Sequence, residues 1–228
     1  MIFNRILSFL MIALFCFTSS QTVWAVDSVR DQEIAQCLSG EISTWGDGSD
    51  RSVAGKPLVF KYQHDSAPAW FTRATVLSAI QKSVTSWARC GLSLSVAADA
   101  GSPAVSGTVV RVLWSDAGSR NNFGLANLGD KTLSLGPAAF QMLKTRNPSY
   151  DASQTLQMVI SHEMGHFMGV MSHSRRCVDV TSYYNDGKGQ TCYTRGGGIM
   201  PTGVEYRSSL PTACDIQRCR LVNHFANP

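Results

Sequence analysis

The chain has 228 residues, of which 44% are apolar and 16% charged, and its formal net charge is +4. That composition supports a packed core and excludes wholesale disorder. The charge is too small and too scattered to imply a nucleic-acid partner or an anionic membrane surface.

Residues 1–25 read as an export signal. Arg5 supplies a positive start, Ile6 to Phe17 is an apolar run too short to span a bilayer, and Val23 and Ala25 set small residues before a cleavage point. The remainder is therefore expected to be secreted or periplasmic, with no membrane association. Export also places the cysteines in an oxidising compartment. Outside the signal stand Cys37, Cys90, Cys177, Cys192, Cys214 and Cys219, an even set that implies three disulfides. Their connectivity is open on sequence grounds. Short separations favour Cys177–Cys192 and Cys214–Cys219, which leaves Cys37–Cys90. A four-cysteine zinc knot built from the last four lacks the tight C-x2-C knuckles of such sites.

Residues 26–55 are polar and contain glycine, and read as an N-terminal arm. The run from Pro57 to Tyr62 has strand character. Thr72 is placed to cap a helix reaching about Cys90, because Leu77, Ile80, Val84 and Trp87 recur on one face and Gly91 follows as a stop. Leu92 to Ala97, Thr108 to Ser115 and Lys131 to Gly136 read as three further strands. Asp151 and Gln154 suggest a capping box for a second helix, whose apolar stripe is Leu156, Val159, Ile160, Met164 and Phe167. Gly169 ends that pattern. With no linker or internal repeat, residues 56–228 are expected to form one domain.

The second helix contains His162-Glu163-Met164-Gly165-His166. Imidazoles four residues apart share one helical face, one turn apart, so both can reach a single ion. Zinc favours four ligands and takes imidazole nitrogen at about 2.0–2.1 Å. Glu163 projects beside the pair, where a carboxylate can take a proton from water without ligating the metal. A third ligand is at hand in His173, because Gly169 allows a sharp turn that folds the chain back on the ion. A fourth position left open marks a catalytic rather than a structural site. His64 and His224 have no ligand-like context. The loops Asp47-Gly-Ser-Asp50 and Asn185 to Gly189 are candidates for calcium, and turn chemistry explains them equally well.

The H-E-x-x-H-x-x-G pattern followed by histidine resembles the metzincin clan of zinc endopeptidases, and within it the matrixin-like catalytic domains. Ile199-Met200-Pro201 resembles the clan's Met-turn. The run from Lys56 to Trp114 resembles the N-terminal subdomain of those domains, and Cys214 to Cys219 the start of their C-terminal helix. Two departures stand out. Ser172 occupies the usual third-histidine position, and His173 follows one residue later. Cys37 lacks the flanking residues of the matrixin inhibitory switch and is expected to be a disulfide partner.

The resemblance implies an α+β, metzincin-like zincin fold: a twisted, mostly parallel sheet with an antiparallel edge strand, an active-site helix and a C-terminal subdomain. It implies a monomeric zinc endopeptidase, with Zn2+ on His162, His166 and His173 and Glu163 as general base. Its substrate, a protein or peptide, would lie extended along the strand at Lys131–Gly136, against a pocket wall near Gly196–Tyr206. The other function classes are an exported zinc-binding protein without catalysis and a zinc amidase acting on a non-protein substrate.

Overall fold

The computed structural model describes residues 28–53, 55, 57–97, 106–197 and 205–226. The export signal at 1–25, the Ile199-Met200-Pro201 stretch and most of the expected pocket wall lie outside the described residues.

Alternating apolar segments build a single five-stranded sheet. Its strands are β1 (Leu58–Tyr62), β2 (Leu94–Ala97), β3 (Thr108–Trp114), β4 (Gly124–Asn127) and β5 (Thr132–Leu135), in the spatial order β2-β1-β3-β5-β4. Every pairing is parallel except the antiparallel one between β4 and β5. A mostly parallel sheet with an antiparallel edge strand agrees with what the resemblance implies. One placement needs correction. The strand expected to carry substrate, Lys131–Gly136, contains β5, which is hydrogen-bonded to β3 on one side and β4 on the other. All four β5 residues are buried, so this strand has no free edge. On that side of the sheet the edge belongs to β4.

Two long helices pack together beside the sheet. α2 (Arg73–Ala88) starts at Thr72, whose side chain accepts the Thr75 N–H, and stops before Gly91 at φ 102°. α5 (Ala152–Phe167) starts at Asp151, whose carboxylate accepts the Ser153 N–H rather than closing the expected box with Gln154. The two helices are locked by polar contacts inside an apolar interface. Trp87 Nε1 donates to the Ser161 carbonyl at 2.9 Å, and the hydroxyls of Ser83 and Ser161 meet at 2.9 Å. Gly165 makes room for the indole: a Cβ there would lie 3.1 Å from Trp87 Cζ2. These contacts fix the rotation of α5, and so the direction in which its histidine face points.

The remaining helices are α1 (Val29–Ala35), α3 (Asp116–Ser119), α4 (Pro137–Arg146) and α6 (Ala213–Val222). α6 carries a true capping box between Thr212 and Asp215. No helix among the described residues is long and apolar enough to cross a membrane.

Three disulfides form, and two of the expected pairs are wrong. Cys177–Cys192 is as expected, but the others are Cys37–Cys214 and Cys90–Cys219, with Cα separations of 4.8 and 5.7 Å. Cys214 and Cys219 both lie in α6. Residues five apart on a helix point roughly 140° away from each other, so their sulfurs cannot meet. Each reaches instead to a different distant segment. Cys214 ties down the N-terminal arm, and Cys219 ties α6 to the end of α2.

The arm is fastened by more than its disulfide. Glu33 is fully buried, and its carboxylate receives the Arg195 N–H and the Tyr206 hydroxyl, each at 2.7 Å. Arg176, also fully buried, lies 3.2 Å from Asp179, 3.6 Å from Glu41 and 3.8 Å from Glu33. Buried charges are costly unless paired, so this cluster enforces one docking position for the arm.

Candidate metal centre

The i, i+4 spacing on α5 brings His162 and His166 to one face, and the turn after the helix delivers His173 to the same point. The ligand atoms of the three imidazoles lie within 4.8 Å of one another. Ring centroids are 5.3 Å apart for His162–His166, 5.1 Å for His162–His173 and 5.2 Å for His166–His173. The rings form a nearly equilateral set.

The orientation of each ring is set by a bond from its other nitrogen. His162 Nδ1 faces the Val180 carbonyl at 2.7 Å, His166 Nδ1 faces the Val170 carbonyl at 2.9 Å, and His173 Nδ1 faces Asp47 Oδ2 at 2.6 Å. A carbonyl or carboxylate only accepts, so Nδ1 must carry the proton in each ring and every Nε2 keeps its lone pair. His173 Nε2 is buried without any partner. Burial lowers the pKa of all three rings: His162 falls well below its usual value, His166 falls to about 4, and His173 falls despite its bond to Asp47. Three neutral imidazoles with lone pairs converging on one point suit zinc, and an orphaned buried nitrogen is what such a cation would satisfy.

The structure also explains how the extra residue before His173 is absorbed. Gly169 leaves the helix at φ 90°, and a Cβ there would lie 2.1 Å from the Arg51 carbonyl oxygen. From that point the chain runs beside the N-terminal arm. Arg51 N–H donates to the Gly169 carbonyl, and Trp45 N–H to the His173 carbonyl. Asp50 Oδ1 accepts the N–H groups of Met171 and Ser172 at 2.8 and 3.1 Å, and Arg218 grips the same carboxylate at 2.6 and 2.7 Å. Asp47 Oδ1 accepts the Ser172 hydroxyl at 2.9 Å and the His173 N–H at 2.8 Å. Ser172 thus faces the arm, and His173 faces the centre. Burial alone would raise the Asp47 carboxyl, but the bonds from His173 and Ser172 outweigh it and hold the pKa below its usual value.

These bonds bear on the calcium reading of Asp47 and Asp50, because protein donors already hold both carboxylates. The loop from Asn185 to Gly189 is a turn in which Asn185 caps Gly187 and Asp186 caps Lys188 and Gln190. His64 pairs with the Tyr62 hydroxyl at 2.7 Å and, like His224, lies outside the centre.

Glu163 sits beside the ligands and against the sheet edge. Its Oε2 accepts the Ala126 N–H from β4 at 2.8 Å. Burial raises its carboxyl to about 7, offset only by that bond. Gly124 allows the close approach, since a Cβ there would lie 2.9 Å from Glu163 Cγ and 2.5 Å from Val159 Cγ1. A cleft of about 540 Å³ opens in front of the three histidines and Glu163. Phe123, Leu125, Met158 and Val159 give it apolar walls, and Tyr183 and Arg207 also line it. Tyr183 stacks on the His173 ring at 3.6 Å between centroids, so that imidazole is clasped between a phenol and a carboxylate.

All four site residues read from the sequence come together here. Asp47, Tyr183 and Arg207 were not foreseen in these roles. The sequence marks Asp47 only as a turn or calcium residue, and nothing local to Tyr183 or Arg207 signals the cleft. Asp47→Ala is expected to weaken metal-ion binding about 10–100-fold, as measured with added zinc by competition with a chelating dye, while Asp47→Asn keeps an acceptor and loses less. Wild-type affinity in Asp47→Ala would show that the Nδ1 partner does not position the ring.

No family model matches the chain, and no curated protein matches it. Among solved structures, it is similar to a chain of the "GM1 bound form of the ECX AB5 holotoxin", at 12% identity, with 77% of this chain and 86% of that one covered and a TM-score of 0.43. A likeness this slight assigns nothing to the present chain.

Proposed function

We propose that the chain has a metzincin-like zincin fold and acts, secreted or in the periplasm, as a monomeric zinc endopeptidase on protein or peptide substrates. One observation carries this reading: two buried imidazoles and one half-buried imidazole, each with its Nδ1 engaged, converge next to a glutamate at the mouth of a cleft beside the edge strand β4. Three disulfides are in keeping with an exported protein. A zinc ion on His162, His166 and His173 would supply a Lewis acid that lowers the pKa of water and polarises a carbonyl.

The chain's own groups do the rest. An extended peptide lies along β4, which has no strand on its outer side and whose Ala126 N–H is already given to Glu163, and is thereby held across the mouth of the cleft. Ala126 N–H fixes one oxygen of Glu163, which leaves Oε1 to take a proton from the water attacking the scissile carbonyl. A carboxylate whose pKa lies near neutrality is suited to that transfer. The same oxygen then returns the proton to the leaving amine nitrogen as the C–N bond breaks. The apolar walls around Met158 and Val159 exclude water and receive a side chain of the substrate.

Denatured casein and a peptide library, incubated with the zinc-loaded protein, test the proposal. Cleavage that stops with a zinc chelator and returns with added zinc is the expected result. Intact casein and an intact library would refute it.

A further inference from the structure

Arg207 lines the same cleft as the histidines and Glu163, yet no step above uses it. One edge of its guanidinium is fixed by two bonds. Nε donates to Glu205 Oε1 at 2.9 Å, and Nη2 donates to Oε2 at 2.8 Å. Glu205 Oε1 also receives the Arg207 N–H at 3.0 Å and the Tyr184 hydroxyl. The guanidinium carbon lies 4.8 Å from the centre of the Tyr184 ring, so the cation is held in one orientation. Nη1 has no acceptor among the described residues, and the side chain keeps 19% exposure. Arginine remains charged at any working pH and presents its donors in a rigid plane. The acidic groups of the centre, Glu163 and Asp47, take their bonds from Ala126 and His173, and the Arg207 side chain bonds Glu205 instead of either.

We infer that Arg207 recognises a carboxylate on the substrate through Nη1, so that the cleft takes peptides with an acidic group beside the bond it cuts. The inference rests on the protease reading and adds the substrate class to it. That carboxylate can be an Asp or Glu side chain or the free C-terminus of a short product-side segment. A purely structural Arg207, serving only to anchor Glu205 and Tyr184, would treat a Glu peptide and its Gln twin alike.

The test uses the full-length zinc-loaded protein and fluorogenic peptides of one sequence. These carry Glu, Gln or Leu at each position flanking the cut, and each is made as the C-terminal acid and the amide. Titration calorimetry of the same peptides with Glu163→Gln reads binding without turnover. The wild type is expected to favour one acid over its neutral twin by about tenfold or more in kcat/KM and in affinity. The twin pair that shows the preference identifies side chain or terminus as the source. In Arg207→Gln the ratio should fall to about one. Lysine cannot hold Glu205 and the substrate together, so Arg207→Lys should cut the ratio about threefold or more, and it stands in if the glutamine variant does not fold. Equal handling of every twin pair by the wild type overturns the inference, and so does a preference unchanged in either variant. A protein that cleaves nothing refutes the protease reading instead, and the calorimetry then reads the carboxylate preference by itself.

Discussion

Glu163→Gln is expected to leave zinc bound and to lower peptide hydrolysis about 10²–10⁴-fold, the usual worth of a positioned general base. Glutamine nearly matches the shape of glutamate and still accepts the Ala126 N–H, so β4 and α5 keep their contact. The three imidazoles are held by Val180, Val170 and Asp47, not by Glu163, and their convergence should survive the change. What disappears is the basic oxygen facing the cleft. Glu163 is also 9% exposed at the foot of α5, and replacing a buried carboxyl with an amide removes a desolvation cost. The variant should therefore melt no lower than the wild type. Single-turnover assays beside zinc analysis separate the cases. Full activity with full zinc would remove Glu163 from the chemistry, and loss of zinc would make it a ligand or a scaffold residue.

His173→Ala is expected to abolish stable zinc binding, with a loss larger than the roughly 10–100-fold predicted for removing its Asp47 partner. Two imidazoles from one helix turn leave zinc short of the three protein ligands that catalytic sites use. The damage reaches further than the metal. Asp47 loses the N–H it balances, and Tyr183 loses the ring it stacks on. A protein that gains stability from bound zinc should melt at a lower temperature once that affinity is gone. His64→Ala supplies the contrast, because His64 contacts Tyr62 outside the centre. Equal zinc in His173→Ala and the wild type would move the third ligand elsewhere.

The parts of this site legible in the sequence are those governed by local geometry. An apolar stripe at helical spacing announces α5, and the i, i+4 pair follows from the helix itself. Gly169 marks the turn because its backbone conformation is one that other residues rarely adopt. The extra residue at Ser172 could not be explained locally. Its accommodation depends on Asp47 and Asp50, more than a hundred residues earlier, and no periodicity links such distant segments. β4 was missed for a different reason: it has four residues, Gly124 and Asn127 at its ends, and little β-propensity. Two of the three expected disulfide pairings fail because proximity in sequence is not proximity in space. Inside a helix, five residues is the wrong distance for a bridge, and the sulfurs joined segments separated by 177 and 129 positions.

A crystal of the freshly purified protein, measured at the zinc absorption edge, tests the centre most directly. One anomalous peak is expected between the Nε2 atoms of His162, His166 and His173, about 2.0–2.1 Å from each. An empty map at that point, with the position 173 imidazole turned toward solvent, would contradict a zinc centre in this chain.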